Sequence, residues 1–309
     1  MGLFKELKTI NLHHIHYIKQ RNHKDMNIAI SGHTGFIGTK LKEFFSASGH
    51  KITGIGREDF AKGSSHLAGL IEGQDVLINL AGAPIVKRWT KRYSKTLWDS
   101  RIITTRLLTD AIAETPERPK AFFSSSAIGY YANEGVHTEE DHAVDEGFLG
   151  ILCQRWEEEA LRARIHCNTY IIRTGIVLGK EGGALPRMAL PFRLFAGGKI
   201  GSGNQVLSWI HIGDYLKALN MLIEKMPDVN IFNFTAPNPE SNKEFSSQIA
   251  QVLGRPNLFT VPPFMLRLIF GEGATTLIHG QTVLPKNLQD QGYEFQFPQL
   301  RPALEDLLK

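Results

Sequence analysis

A glycine-rich turn near the start of the chain has the residue types and spacing of a phosphate-binding loop. The segment 28–38 reads as a short apolar strand, a turn with glycine at positions 32, 35 and 38, and the start of a helix. The first glycine permits the turn, the second lets the backbone approach a pyrophosphate, and the third lets helix pack on strand. The free N–H groups of the helix N-terminus then face the negative charge. We therefore predict a dinucleotide site formed by Gly32, Thr34, Gly35, Phe36, Ile37 and Gly38.

The end of the second predicted strand bears on the choice between NADP and NAD. An acidic residue there accepts hydrogen bonds from the ribose hydroxyls, whereas an arginine accommodates a 2′-phosphate. Gly56 stands where the acid is expected and Arg57 follows it, although Glu58 could serve as a shifted acid. We expect NADP(H), with Arg57 against the 2′-phosphate, and NAD as the less favoured cofactor.

Further candidate cofactor contacts follow the other predicted strands, because doubly wound sheets bind ligands at the carboxyl ends of their strands. Arg101 lies in the middle of a long helix that should back the cofactor, where a surface ion pair is an equally good interpretation. Arg173 ends a strand and could contact cofactor or substrate. The remaining predicted cofactor contacts are Leu80, Ala81, Gly82, Ser124, Ser125 and Val177.

The order of the predicted elements positions these residues. From Met26 onward strands and helices alternate, which is typical of a parallel sheet with helices on both faces. We predict an α/β, Rossmann-type doubly wound fold with a smaller C-terminal substrate-covering portion. Residues 26–177 would form the dinucleotide-binding domain, with 209–235 returning to it, and residues 178–208 and 236–309 the covering portion. Eight glycines within 175–203 predict a long loop there.

Composition narrows the classes of partner. The net charge is +4, but residues 1–25 hold five Lys/Arg and two Asp/Glu, which leaves +1 for the remainder. A nucleic-acid-binding body would need a basic stripe, and no apolar run reaches the ~18–20 residues of a membrane span. We expect a small-molecule substrate and no nucleic acid, membrane or metal partner. Two cysteines suit a reducing cytosol, so we expect a cytoplasmic protein with residues 1–25 as a loosely ordered extension.

Four features give the chain a wider resemblance. They are the Gly32–Gly38 loop, Asn79–Gly82, Ser124–Ala127 and Trp209–Asp214. The chain resembles the extended short-chain dehydrogenase/reductases, the superfamily of nucleotide-sugar epimerases. More narrowly it is similar to the "epimerase family" proteins of uncertain function, some of which carry a cell-division-inhibitor label; this likeness rests on segments such as Arg155–Glu157, Arg173–Leu178 and Gly197–Gly203. The resemblance implies an NADP-dependent oxidoreductase or epimerase-like protein, and a possible homodimer.

The proton relay of that superfamily is missing from this chain. The resemblance implies a serine that positions the substrate hydroxyl, a tyrosine acid/base, and a lysine four residues later. Ser126 matches the serine, but Leu152 and Trp156 stand where tyrosine and lysine are expected, and none of the seven tyrosines has a lysine four residues on. We keep Ser126 and Tyr130 as catalytic candidates. Tyr131, Cys153 and Glu157 lie nearby in sequence and could replace the missing tyrosine–lysine pair. The plainer interpretations are that Cys153 packs in the core and that Glu157 belongs to a solvated helical face.

Two functions remain open from the sequence. The first is an enzyme that passes hydride between nicotinamide and a carbonyl or alcohol carbon, with a substrate pocket that includes Tyr131, Trp156, Arg193, Gln205 and Trp209. The second is a non-catalytic NADP(H)-binding regulatory protein, with the link to cell division that the family label implies. The missing relay favours the regulator, and the glycine-rich segment over the pocket favours the enzyme. We interpret His211 and Asp214 as residues that cap a helix and fix the fold, rather than as a catalytic pair.

Overall fold

The computed structural model describes residues 25–309, and the predicted N-terminal extension lies outside the described residues except for Asp25. A six-stranded, all-parallel sheet forms its centre, with the spatial order β2-β1-β3-β4-β6-β11. The α/β prediction is thereby confirmed. The strands are Asn27–Ser31 (β1), Lys51–Ile55 (β2), Val76–Asn79 (β3), Ala121–Ala127 (β4), Asn168–Thr174 (β6) and Ile231–Phe234 (β11).

Helices cover both faces of this sheet because successive strand residues point to opposite sides. Ile28 and Ile30 of β1 pack on one face with Phe45 of the first helix, while Ala29 between them packs on the other face near Leu108. The strands are therefore apolar on both sides, as in buried parallel sheets. The covering helices are Phe36–Ala47 (α1), Arg57–Phe60 (α2), Ser64–Ile71 (α3), Lys91–Glu114 (α4), Phe148–Leu161 (α5) and Ile212–Lys225 (α7).

The strand order changes direction between β1 and β3. The helix after β1 leads outward to β2, and the chain then crosses back to place β3 on the other side of β1. Such a switch point opens a crevice at the carboxyl ends of the two strands, which is where doubly wound sheets bind ligands. The predicted glycine turn follows β1 and therefore lies at this crevice.

A second apolar cluster lies in the C-terminal part of the chain. It joins Leu185 and Phe192 with Trp209, Phe245 and Leu304. Its elements include Leu185–Arg193 (α6), Asn242–Leu253 (α8) and Leu300–Leu308 (α12), together with Pro263–Phe270 (α9), Thr275–Ile278 (α10) and Lys286–Asp290 (α11) nearby in sequence. Short two-stranded pairs link these helices; their strands are Val136–His137 (β5), Ile176–Leu178 (β7), Gly198–Ile200 (β8), Val206–Leu207 (β9), Trp209–His211 (β10), Glu240–Ser241 (β12), Phe259–Val261 (β13) and Thr282–Val283 (β14).

The glycine-rich segment 175–203 differs from the predicted long loop. It contains strand β7, helix α6 and strand β8. Several of its glycines serve close packing: a Cβ at Gly179 would come within 2.2 Å of the Phe36 ring, and one at Gly198 within 1.8 Å of the Phe259 carbonyl oxygen. Glycine here indicates contact between backbone and neighbour, which sequence composition does not distinguish from flexibility. Across residues 25–309, no helix is long and apolar enough to cross a membrane.

Candidate active site

The glycine turn has the geometry that its sequence predicts. Gly32 has φ +72°, and a Cβ there would come within 2.8 Å of the Leu80 carbonyl group. A Cβ at Gly38 would lie 2.4 Å from the Gly32 carbonyl oxygen, so that position also excludes a side chain. The Gly35 N–H donates to the Gly32 oxygen at 3.0 Å and closes the turn. The N-terminus of α1 is thus held at the switch point with its free N–H groups available to an anion.

A segment that the sequence analysis did not connect with this turn lies directly on it. The Phe36 ring packs against Gly179, Gly182 and Gly183, where side chains would collide with the ring or with the Val177 carbonyl. Lys40 of α1 is paired with Glu181 of the same segment at 3.0 Å. The connection between β7 and α6 therefore crosses α1 beside the phosphate turn, which explains the glycine spacing after Leu178.

The carboxyl end of β2 carries an exposed arginine, and glycine stands at the position expected for an acid. Arg57 is exposed as the first residue of α2. The nearby Asp59 carboxylate accepts a hydrogen bond from the Gly56 N–H at 2.9 Å and lies 3.0 Å from His66, and these bonds hold the pKa of Asp59 below its usual range. The His33 ring covers Gly54, where a Cβ would come within 2.8 Å of it. Glu58, the shifted acid that the sequence left open, is exposed beside Arg57, so both an arginine and a carboxylate are accessible at this end of β2.

Arg101 is a cation without a counter-ion beside the same crevice. Its guanidinium donates to the Ala83 carbonyl at 3.0 Å and the Leu97 carbonyl at 3.2 Å, and lies 5.2 Å from the centre of the Trp156 ring. No carboxylate of the described residues pairs with it, and burial lowers its pKa. Arg101 is partly exposed and forms no surface ion pair with the described residues, so its charge is available to an anionic ligand.

A buried polar network fixes the ends of the central strands. The Ser31 hydroxyl donates to Asn79 Oδ1 at 2.7 Å, and Asn79 Nδ2 donates to Thr105 and Ser124 at 2.9 and 3.3 Å. The Trp156 indole N–H also donates to Thr105, at 2.8 Å. Ser124 is fully buried, which corrects its prediction as a direct cofactor contact: it supports the strand ends through Asn79.

Glu157 occupies the region where the superfamily relay is missing. Both Glu157 and Arg173 are buried, and Arg173 donates to the two Glu157 oxygens at 2.9 and 2.7 Å. The Ser126 hydroxyl donates to Glu157 Oε1 at 2.6 Å. The interpretation of Glu157 as part of a solvated helical face is therefore wrong. Arg173 uses its Nε and both terminal nitrogens inside the protein, and its role as a cofactor or substrate contact stays a prediction.

The two tyrosines after β4 pack on the same guanidinium. Tyr130 is partly exposed, and the guanidinium carbon of Arg173 lies 3.5 Å from its ring centre. Tyr131 is fully buried; its hydroxyl accepts from Arg173 at 2.8 Å and donates to Asn233 Oδ1 at 2.9 Å. Burial raises the pKa of Tyr131 to about 12. Only Tyr130 of this pair has surface that a ligand could reach.

The predicted substrate residues separate into two groups. Gln205 lines a cavity of about 350 Å³ with polar walls that include Glu134, Asn204 and His279, and Arg193 is exposed at the end of α6. Tyr131, Trp156 and Trp209 are buried, and the Trp209 indole donates to the Asn238 carbonyl at 3.1 Å. Ser126 is equally buried, at 3% exposure, and the place of the three aromatic side chains in a substrate pocket stays a prediction.

Three further residues take the plainer roles that the sequence favoured. His211 caps α7 by accepting from the Gly213 N–H at 3.0 Å. Asp214 accepts from the Gln296 and Phe297 N–H groups at 2.8 and 2.9 Å, which ties α7 to the C-terminal segment. Cys153 is buried, and burial raises its thiol pKa to about 12. Within residues 25–309, no His, Cys, Asp or Glu cluster has the arrangement of a metal site.

Fold and site together define a Rossmann-type protein of the extended short-chain dehydrogenase/reductase class. The model of the NAD dependent epimerase/dehydratase family matches residues 28–234, and that of a domain of unknown function, DUF1731, matches residues 261–307. The chain belongs to the NAD dependent epimerase/dehydratase family.

Relatives in distant organisms share nearly the whole chain. It is 36% identical to the mouse epimerase family protein SDR39U1, over 92% of this chain and 100% of the mouse protein. It is 35% identical to a chloroplastic SDR39U1 homolog of Arabidopsis thaliana, over 92% of this chain and 87% of that protein. The human epimerase family protein SDR39U1, solved with NADPH, matches with TM-score 0.83 and 34% identity, over 91% of this chain and 99% of that chain.

The buried ion pair makes a first prediction. Arg173→Met leaves Glu157 as an unpaired buried charge, so we expect it to lower the free energy of unfolding by about 3–5 kcal/mol. The double variant Glu157→Leu with Arg173→Met removes both charges. Its loss in free energy of unfolding should be clearly smaller than the sum of the losses of the two single variants. Urea unfolding of the two single variants and the double variant measures these losses.

Arg155→Met is the control, because it breaks the exposed Arg155–Glu158 pair on the same helix. It should lower the free energy of unfolding by under about 1 kcal/mol. A double variant whose loss equals the sum of the single losses would contradict the coupling of Glu157 and Arg173.

Glu139 makes a second prediction, on pH. Its Oε1 accepts from the Asn233 N–H at 2.8 Å, and burial raises its pKa to about 6 from an ordinary 4.5. Between these values the folded state binds more protons than the unfolded state, so this residue's contribution to stability falls as pH rises and is least favourable above pH 6. Glu139→Gln keeps an acceptor without the charge. Above pH 6 this substitution should raise the free energy of unfolding by up to about 2 kcal/mol. Below pH 4.5, the ordinary glutamate pKa, its effect should be much smaller.

Chemical denaturation on either side of this range tests the Glu139 prediction. Glu140→Gln is the matched control, because the neighbouring Glu140 is exposed and pairs with Lys286 at the surface. Its effect should be small at both pH values. The same change in stability for Glu139→Gln at both pH values would contradict a raised pKa.

Proposed function

We propose that this protein is an NADP(H)-dependent oxidoreductase that acts on an alcohol or carbonyl compound. The observation that carries the proposal is the pair of cations at the crevice, Arg57 without an ion-pair partner among the described residues and Arg101 without a counter-ion. Together with the N-terminus of α1, they supply positive charge where a phosphorylated dinucleotide would lie. The NADPH in the human relative supports the same cofactor.

The residues around Ser126 supply a proton route for this chemistry. When bound, the cofactor supplies hydride exchange with a carbon atom of the substrate. In the oxidising direction, the substrate hydroxyl proton passes to Ser126 Oγ as the Ser126 proton passes to Glu157 Oε1, which already accepts it at 2.6 Å. The alcohol thereby loses one hydride and one proton and becomes a carbonyl compound. The reverse path delivers the proton for reduction, and Glu157 replaces the missing tyrosine and lysine as the proton store.

Arg173 acts in this route as a positioning residue. Its two bonds to Glu157 fix both carboxylate oxygens, and they leave Oε1 directed at Ser126 as well. Stacking of Tyr130 on the guanidinium closes the far side of the pair. The cavity at Gln205 is the proposed place for the rest of the substrate. Its many polar groups, contributed by Asn133, Glu134, Asn204, Gln205, His279 and Thr282, favour a substrate with several hydroxyl or carbonyl groups.

Titration with NADPH and NADH, followed by nicotinamide fluorescence, tests the cofactor part. Arg57→Ala should weaken NADPH binding about tenfold, the loss of one exposed charge-assisted hydrogen bond, and leave NADH binding unchanged. Arg101→Gln should weaken both nucleotides to a similar degree, because its position is unrelated to the 2′-phosphate. Lys51→Ala, at the opposite end of β2, is the matched control and should change neither. Binding of neither nucleotide, or an equal effect of Arg57→Ala on both, would contradict the proposed cofactor.

Substitution of Ser126 tests the proton route. Ser126→Ala keeps the Glu157–Arg173 pair, so thermal stability and NADPH affinity should stay close to wild type. Hydride transfer to the best compound of a carbonyl panel should fall by about 10²–10⁴, the usual contribution of a positioned acid/base. Ser126→Thr, which restores a hydroxyl, should recover part of the rate, whereas a purely structural serine would show no such split. Tight NADPH binding without hydride transfer to any compound would favour a regulatory role over the enzyme.

A further inference from the structure

Helix α9 turns its more apolar side to solvent. Of its eight residues only Leu266 is buried, while Phe264, Met265, Leu268 and Ile269 are 69%, 45%, 72% and 55% exposed. These four positions are spaced i, i+1, i+4 and i+5, which places them on one side of the helix. A surface helix normally faces the core with such a stripe and presents polar residues to water.

A second group of exposed apolar residues adjoins this helix. Leu190, Leu194 and Phe195 at the end of α6 are 54–67% exposed, and Leu258 and Phe259 before α9 are 80% and 54% exposed. Strands β8 and β13 join the two segments in parallel register, with Gly198 opposite Phe259. The Arg255 guanidinium lies 4.4 Å from the Phe195 ring centre. We call these nine exposed residues of segments 190–195 and 258–269 the apolar face; exposed apolar groupings of this kind commonly mark interaction sites.

The two chain segments that carry the apolar face have charges of one sign. Segments 185–200 and 254–271 contain Arg187, Arg193, Lys199, Arg255 and Arg267 and no acidic residue; Glu272 is the first acid after them. Among residues 25–309, none of these five cations forms an ion pair with a carboxylate. The occupant of the face should therefore combine apolar groups with negative charge.

Charge argues against two occupants that the chain itself could provide. The segment before Met26 carries five Lys/Arg against two Asp/Glu, so it would be repelled. A second copy in a two-fold dimer would bring the same patch against itself, and with it five cations against five. Leu258, Leu268 and Phe264 are 80%, 72% and 69% exposed, so they are positioned to insert into a partner. A lipid surface with anionic headgroups accepts both features.

We propose that the apolar face docks this protein on the surface of an anionic lipid membrane. The protruding side chains enter the boundary between headgroups and acyl chains, and the five cations contact the lipid phosphates and carboxylates. The expectation of no membrane partner came from the absence of a spanning segment, which does not bear on contact at the surface. The inference is independent of the proposed enzymatic function.

Docking would place the segment around Arg88 and Trp89 close to the membrane. Arg88 donates to the Leu268 carbonyl at 3.3 Å, and the Trp89 N–H donates to the Phe270 carbonyl at 3.0 Å. Helix α9 is therefore bonded to the segment that follows Gly82 at the cofactor crevice.

Co-sedimentation of the full chain with vesicles tests the proposal. Wild type should bind phosphatidylcholine vesicles that contain phosphatidylserine and bind pure phosphatidylcholine much more weakly. Phe264→Gln with Leu268→Gln should weaken binding at least tenfold, because two side chains no longer leave water. Arg267→Gln should weaken it about fivefold, the effect of one cation near the surface. The matched control is Arg164→Gln with Ile165→Gln. It removes one exposed cation and one exposed aliphatic side chain outside the apolar face, and should bind vesicles as wild type does.

Each other outcome overturns the proposal. Absence of wild-type binding, or equal binding to charged and uncharged vesicles, would remove the anionic membrane as occupant. Binding that survives Phe264→Gln with Leu268→Gln would assign it to another part of the chain. A shift from dimer to monomer in sedimentation velocity with the same double variant, without vesicle binding by wild type, would assign the face to a second copy. Circular dichroism of each variant confirms that the fold is retained, as expected for exposed positions.

Discussion

The buried ion pair between Glu157 and Arg173 is the interaction on which the candidate active site depends. It joins helix α5 to strand β6, orients the carboxylate toward Ser126 at the end of β4, and gives Tyr130 and Tyr131 a guanidinium to pack on. Two charges removed from water must satisfy each other almost completely. Here the pair does so and still accepts the Ser126 hydroxyl at Glu157 Oε1, which is the contact that the proposed proton route uses.

Three separate parts of the chain supply positive charge to the crevice at which the cofactor is proposed to bind. The N-terminus of α1, Arg57 after β2 and Arg101 in α4 reach the same sheet edge because parallel strands end there together. The fold explains why residues so distant in sequence lie at one crevice and are proposed to bind one ligand. The segment 179–183, packed on Phe36, adds a contact between the covering elements and the phosphate turn.

Local patterns predicted the central sheet and the glycine turn well, because each strand is a short apolar run and each glycine has a steric reason visible in its neighbours. Local patterns named Glu157 only as one of several replacements for the missing relay and favoured a solvated helical face for it, because it lies in the run Glu157–Glu158–Glu159. Its burial depends on an ion pair with Arg173, which is distant in sequence. Tyr131 and Trp209 are fully buried: aromatic type predicts burial or binding equally, and tertiary packing decides between them. The apolar face was also missed, because helix periodicity shows a stripe without showing which side faces the core.

A crystal structure of the protein with NADP⁺ tests the central claim most directly. The account predicts the 2′-phosphate against Arg57, an intact Glu157–Arg173 pair, and the Ser126 hydroxyl facing the hydride-carrying carbon of the nicotinamide across a gap that fits one substrate carbon and its oxygen. A nicotinamide ring separated from Ser126 by Tyr130, or bound with its reactive face away from β4, would contradict the proposed proton route and leave a cofactor-binding protein without this chemistry.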